Sequence, residues 1–508
     1  MTSTSAVPRV RQHPLLVAIS IGVIAAAAAQ AAMLAAGFLS VAADDAAHVL
    51  RAQTADPLTA WLRPDVWPPL DKVAFASVLR VWADPIWSPR LVTFIFGLLL
   101  AAAMVWLGWE LFHNAAVAIG TGLLAAIVPY RLVFAVSTMG EVFFYLPIVV
   151  CSALLARWLR DGRRLALFGA ALALAVATTA RYEAWFFAVA LGVLVLVSWR
   201  KGDLKLGDVA TVAAILMAFP VAWLAVNALS GDPIDYLSIT RQQTAFAEPS
   251  LRTRVVNSAG YRFVRELVWG LVLILGVVEV IRWIWRRGWQ RSWALTLYAP
   301  MLLVTLATIA TKSVPFAAPW RLGGVWLLLT LPVAVGIVVK WWSRPGLAFR
   351  AIAVGLILVS VLGWLTRDAR MAETTSMTWD EVALASSLPV ENEPVLVEIV
   401  PGDYQFLDLI VASGRPDRFE LTRGIDPYLV ALFVGRLEGW EAARPELVSA
   451  FVAERYDLTD PADAAGLRCA GYAAIAVRTA EARAALLQEA FVVIDDRAGW
   501  ALFVADCP

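Results

Sequence analysis

The chain has 508 residues, of which 60% are hydrophobic and only 16% charged. Soluble domains run nearer half apolar and about a quarter charged, so an ordinary water-soluble protein is excluded and a polytopic membrane protein is indicated. The net charge of +1 argues neither for nor against nucleic acid, but the basic residues sit between apolar runs rather than on one face, and no nucleic-acid partner is expected.

The first apolar run follows Arg9 and Arg11 and extends from about Leu15 to Val41, too long for the apolar part of a secretory signal, so it reads as a retained first span. A span needs roughly 20 predominantly apolar residues. Runs of that kind number about eleven: 14–42, 88–112, 115–136, 141–159, 163–180, 183–200, 207–230, 264–286, 292–311, 320–342 and 347–366. Short, densely basic turns mark the cytoplasmic side: "RWLRDGRR" at 157–164, "RKGDLK" at 200–205, "RWIWRRGWQR" at 282–291 and "KWWSRPG" at 340–346. With that orientation Asp44, Asp45, Glu141 and Glu183 lie at outer ends of spans. An odd number of spans also puts everything after Arg367 outside.

Between the first two long runs lies an outer segment, 43–87. It opens on "DDAAHVLRAQ", where Asp44 or Asp45 can cap a helix by accepting its free backbone N–H groups. Capping needs only one carboxylate. Neighbours on a helix point about 100° apart, so the second acid is free to face a cavity and act as a general base. Farther on, "DKVAFASVLRVWAD" has helical apolar spacing and predicts an amphipathic interfacial helix. Trp61, Trp67, Trp82 and Trp87 suit the membrane interface. Arg131 in "PYRLVF" reads as a snorkelling residue.

A second outer segment, 231–263, mixes Arg, Gln and aromatic residues and could serve as a lid over a site or as a plain linking helix. From Arg367 the composition changes. "GYAAIAVRTAEARAALLQEAFVVIDDRAGWALFVADCP" reads as strand, helix, strand, short turn, strand, and predicts a small α/β domain over 367–508, following a membrane domain over 1–366. Of the three cysteines, Cys151 is a small core hydrophobe, while Cys469 and Cys507 fall near neighbouring strand ends, which favours a disulfide if that side is oxidising.

The acid pair after the first span, "PPL", an amphipathic helix, an Arg opening the second span, "VPYRLVFAVSTMGEVFFYLP" and "TTARYEAW" together resemble the polytopic glycosyltransferases of the GT-C superfamily. The likeness is greatest to bacterial members related to the protein O-mannosyltransferases of family 39 and to lipid A aminoarabinose transferase. It is densest over about 40–190 and is carried by hydropathy and "PFAAPWRLGG" over 190–366. It implies an inner-membrane enzyme of about eleven transmembrane helices with an extracytoplasmic C-terminal domain. The donor would be a polyprenyl-phosphate sugar. The acceptor would be an envelope lipid, glycan or protein hydroxyl, and the anomeric carbon would be inverted.

The resemblance implies that Asp44 is the base, with Asp45 orienting the acceptor or helping as base, that Glu141 is a second active-site acid, and that Arg321 and Lys312 hold the lipid phosphate. Arg181 with Glu183 is a candidate for sugar or phosphate binding, and His48, one turn after Asp44, is a further candidate for substrate binding. Plainer readings compete at each position. Glu141 could be a helix-terminal acid, and Arg181 with Glu183 an exposed ion pair worth less than about 1 kcal/mol. His48 reads as a surface residue, and Lys312 and Arg321 as interface anchors. No cofactor is required. The acids could hold a divalent cation, but their spacing does not demand one.

Neither a P-loop nor a dinucleotide fingerprint occurs, and no Cys/His cluster offers a zinc site. Two further readings remain open: a transporter or flippase of a lipid-linked saccharide, and an inactive scaffold for envelope assembly. The lack of an internal repeat and the gathering of the acids at one face favour the enzyme.

Overall fold

The computed structural model describes residues 13–62, 65, 67–230, 252, 255–256, 258–310, 323–373, 375–389, 393–400, 403–424 and 454–505. Lys312, Arg321, Cys507 and most of 231–263 lie outside these.

Each of the eleven apolar runs contains helix within the described residues. In chain order the helices are α1 (His13–Ala35), α2 (Ala43–Gln53), α3 (Leu70–Val81), α4 (Trp87–Phe112), α5 (Ala115–Ala126), α6 (Pro129–Val136), α7 (Glu141–Asp161), α8 (Arg164–Thr178), α9 (Glu183–Arg200) and α10 (Leu206–Ser230). Then come α11 (Ala259–Trp269), α12 (Val272–Trp285), α13 (Trp289–Ala310), α14 (Gly323–Trp342) and α15 (Leu347–Glu373). Seven of the described helices are long and apolar enough to cross a bilayer alone, or eight spans if the bent pair α5–α6 is one. The chain is a multi-span membrane protein. That number is smaller than the number of apolar runs because several runs are shortened or interrupted: α8 is a shorter apolar helix, and the 264–286 run divides at Gly270 into α11 and α12.

The interruptions have local causes. Pro129 opens α6, has no N–H to donate, and leaves a break where α5 and α6 bend by 59°. The carbonyl of Ala126, freed at the break, accepts from Arg131 Nη1 at 3.1 Å. Arg131 Nη2 donates to Gly97 O at 2.9 Å and to the Gln30 side chain. Arg131 is therefore fully buried and staples α1, α4 and the α5–α6 break together, instead of snorkelling to the surface. At Gly270 the Trp364 indole approaches so closely that a Cβ would meet it at 2.6 Å, and Val272 N donates instead to Ser360 Oγ on α15 at 2.9 Å.

Beyond α15 the chain forms α16 (Trp379–Ser386), β1 (Val395–Val397), α17 (Gln405–Ala412), β2 (Phe419–Leu421), α18 (Pro461–Leu467), β3 (Ala474–Val477), α19 (Ala480–Gln488), β4 (Phe491–Arg497) and β5 (Trp500–Ala505). The strand–helix–strand–strand order expected over the last stretch is β3–α19–β4–β5. The five strands form one sheet in the order β2-β1-β3-β5-β4, with β1 parallel to β2 and β3, and β5 antiparallel to β3 and β4. Cys469 is disulfide-bonded.

One face of this sheet does not close on the C-terminal segment alone. Its core continues into Leu39, Ala46, Ala47, Val49, Leu50 and Ile86, so α2 is packed into the same apolar cluster as β1, β3 and α17. Helix α2 thus lies between the helical bundle and the sheet, and both fix its orientation.

Candidate active site at the end of the bundle

The site is assembled on α2. Its onset is set by Asp45, whose Oδ2 accepts from the backbone N–H of Val41 at 2.7 Å and of Ala42 at 3.3 Å. Its Oδ1 accepts from Thr138 N at 2.6 Å and Thr138 Oγ1 at 3.1 Å, which ties α2 to the turn between α6 and α7. Burial pushes the Asp45 carboxyl above its usual range, against the pull of these donors and of Arg90. With both oxygens engaged and no exposed surface, Asp45 is the capping acid of the pair. Asp44, the other member, is half-buried.

Residues 44, 48 and 51 are spaced i, i+4, i+7 and share a face of α2. His48 is buried, not a surface residue. Its Nδ1 is hydrogen-bonded to Asp71 Oδ2 on α3, and its ring stacks on Trp67 with centroids 4.4 Å apart. Arg51 lies over the same indole at 4.7 Å. Trp67 is accordingly a packing surface for two site residues rather than a membrane anchor. Arg51 Nε donates to Asp65 Oδ2 at 3.2 Å, Arg51 Nη2 donates to the same oxygen, and Lys72 Nζ donates to it at 2.7 Å. Burial raises the Asp65 carboxyl, but the two cations outweigh it and hold it below the usual range. For Asp71 burial is likewise outweighed, by His48 and then Arg51, and the carboxyl falls to about 2.

A second group adjoins the first. Glu141 opens α7 and Glu183 opens α9, both buried. Arg181 joins them: Nη1 donates to Glu141 Oε1 at 2.8 Å, while Nη2 and Nε reach the two oxygens of Glu183 at 2.9 and 3.1 Å. The bidentate contact is the strong form of an Arg–carboxylate pair, and these residues do not form an exposed turn. The acids raise the Arg181 guanidinium above its ordinary value despite its burial. Two close contacts connect the groups. Leu70 N donates to Thr179 O at 3.0 Å, joining the start of α3 to the end of α8. A Cβ on Gly140, next to Glu141, would lie 3.6 Å from Asp71 Cγ and 3.7 Å from His48 Cε1.

The chain therefore brings Asp44, Asp45, His48, Glu141, Arg181 and Glu183 to one end of the bundle. Arg51, Asp65, Asp71 and Lys72 join them and were not singled out from the sequence. The signal available for Arg51 was its helical register with Asp44 and His48; Asp65, Asp71 and Lys72 gave none, because their partners are 7 to 23 residues away. Among the described residues no three His, Cys, Asp or Glu side chains are grouped to hold a metal ion.

No protein-family model matches the sequence, and no curated protein does. Solved structures do match over nearly the whole chain. ArnT from Cupriavidus metallidurans, in a crystal structure bound to undecaprenyl phosphate, superposes with a TM-score of 0.63 at 12% identity, covering 96% of this chain and 97% of that one. The apo state of the same protein gives 0.63 at 13% identity with the same coverage. The chain has the fold of ArnT.

Proposed function

We propose that the chain is an inverting glycosyltransferase that moves a sugar from a polyprenyl-phosphate donor to an acceptor on the extracytoplasmic side of the membrane. The observation that carries this reading is the juxtaposition on one helix face of an acid, Asp44, with a cation, Arg51, whose guanidinium shares an oxyanion partner with Lys72. That juxtaposition occurs in a fold whose solved example holds undecaprenyl phosphate.

Transfer from such a donor needs both groups. A lone pair on the acceptor oxygen or nitrogen forms the new bond to the anomeric carbon. The bond from that carbon to the phosphate oxygen breaks, and its electron pair leaves with the lipid phosphate. The acceptor's proton goes to the Asp44 carboxylate. As the phosphate changes from a diester to a monoester its charge grows, so Arg51 and Lys72 interact more strongly with the transition state than with the donor. Glu141 and Glu183, oriented by Arg181, supply acceptors for sugar hydroxyls, and His48, fixed by Asp71 and Trp67, lines the same side. Asp45 positions α2 without touching substrate. Lys312 and Arg321 are the further cations proposed for the lipid phosphate. The acceptor is an envelope lipid, a glycan or a protein hydroxyl.

The test is transfer by the purified protein from a labelled polyprenyl-phosphate sugar. Asp44→Asn is expected to lower the transfer rate about 10²–10⁴-fold, the range for loss of a general base, while the donor still binds. Undiminished transfer would remove Asp44 from the chemistry.

A further inference from the structure

The anion that joins Arg51 to Lys72 is itself an unusual feature of the site. Three N–H donors from two cations converge on one oxygen, Asp65 Oδ2. The side chains of Arg51 and Lys72 are only 4% and 6% exposed, so neither is solvated by bulk water and each requires an anion beside it. Two fixed cations directed at one oxygen form the arrangement that a phosphate oxygen takes.

Asp65 itself is less firmly held. It lies outside any helix or strand, and among the described residues its other oxygen receives only Trp67 N at 3.5 Å, the outer limit of a hydrogen bond. Its side chain is at the margin of solvent, at 11% exposure.

We propose that Asp65 is an internal substitute for the donor's phosphate: it keeps Arg51 and Lys72 paired and in position while the site is empty, and the lipid phosphate displaces it on binding. This rests on the reading of Arg51 and Lys72 as phosphate-binding cations. Charge balance explains the advantage. With Asp65 in place the trio carries one net positive charge, and with Asp65 withdrawn it carries two. A monoester product of about −1.5 to −2 charge is therefore bound most tightly only while Asp65 stays away. The return of Asp65 weakens the hold on the spent lipid phosphate, so the residue limits product inhibition as well as donor affinity. The exchange makes and breaks no covalent bond. It requires only that the Asp65 carboxylate move into adjoining water as the phosphate takes its donors.

The experiment measures binding of undecaprenyl phosphate to the full-length protein in nanodiscs, with inorganic phosphate as a parallel probe. If Asp65 occupies the cations about nine-tenths of the time, removing its charge strengthens lipid-phosphate binding about tenfold. Asp65→Asn is expected to show that gain, and Asp65→Glu, which keeps a competing carboxylate, to stay within about twofold of the parent. A residue that merely supported the local fold would weaken binding in both variants. Unchanged or weaker binding by folded Asp65→Asn overturns the proposal, as does a gain confined to inorganic phosphate. If instead Arg51→Gln with Lys72→Gln leaves lipid binding intact, the reading of the cations fails and this inference fails with it. A weakened double variant beside an unimproved Asp65→Asn overturns the Asp65 role alone.

Discussion

Both ends of the helical bundle carry buried acids paired with arginines, and the two networks behave differently. At one end Glu110 on α4 is buried between Arg157 and Arg160 of α7, with Arg160 Nη2 at 2.9 Å and Trp106 Nε1 at 2.9 Å. Those arginines are 34% and 22% exposed, and all the partners sit on two adjacent helices. At the other end Arg51, Lys72, His48 and Asp71 are almost wholly buried and come from two helices, with His48 and Arg51 lying against Trp67 of an irregular segment. The first network leaves its two arginines open to solvent on one side. The second keeps its cations from water and directs three of their N–H donors at one oxygen of Asp65. The presence of ion pairs at a span end therefore does not by itself mark a site; what separates the second network is the burial of its cations around one shared oxygen.

This contrast can be broken or sharpened at several points. The largest effect is expected for Arg51→Gln combined with Lys72→Gln, which should raise the KM for the lipid-linked donor about 10²–10⁴-fold, the loss of about two charge-assisted contacts. A steady-state assay varying the donor checks this, and an unchanged KM would make the two ends equivalent.

A smaller effect concerns acid stability. Asp71 falls from 3.8 to about 2 in the folded chain, so the fold prefers its ionised form. That contribution is complete above about pH 4 and disappears as the pH falls through about 2, and it is on the order of 2 kcal/mol. Asp71→Asn should accordingly lower thermal stability at pH 5 yet lose less on further acidification than the parent, as followed by melting curves across that range. The smallest effect on catalysis belongs to the opposite end: Glu110→Gln should change the transfer rate by less than about twofold, the ordinary consequence of a change remote from the chemistry.

Much of the fold was legible because hydropathy and period report burial directly. The apolar runs, the onset of α2 at the acid pair, the amphipathic α3 and the β3–α19–β4–β5 order all follow from local pattern. What pattern could not supply is the identity of a distant partner. Arg131 looks like an interface residue until Gln30 and Gly97 O, far away in the chain, are seen to receive it. Trp67 looks like a membrane anchor until His48 and Arg51 are found against it.

The division of labour between Asp44 and Asp45 was likewise open in the sequence. Thr138, 93 residues from Asp45, supplies donors that engage one oxygen of the second acid, a partner no local pattern discloses. The run of apolar residues on α2 carried a further message that sequence alone did not disclose. Ala46, Ala47, Val49 and Leu50 are there to pack against the C-terminal sheet. This makes the position of the acids depend on a unit more than 300 residues downstream, as the bond from Met377 N to Ser40 Oγ at 2.7 Å also illustrates.

The central claim is that the lipid phosphate sits at the α2–α3 end of the bundle and nowhere else. Photo-crosslinking with a diazirine-bearing polyprenyl phosphate, followed by peptide mapping, tests it directly. The account predicts label in peptides spanning 43–53 and 67–81, removed by excess unlabelled lipid. Competable label at Glu110, Arg157 and Arg160, with none on α2 or α3, would contradict it.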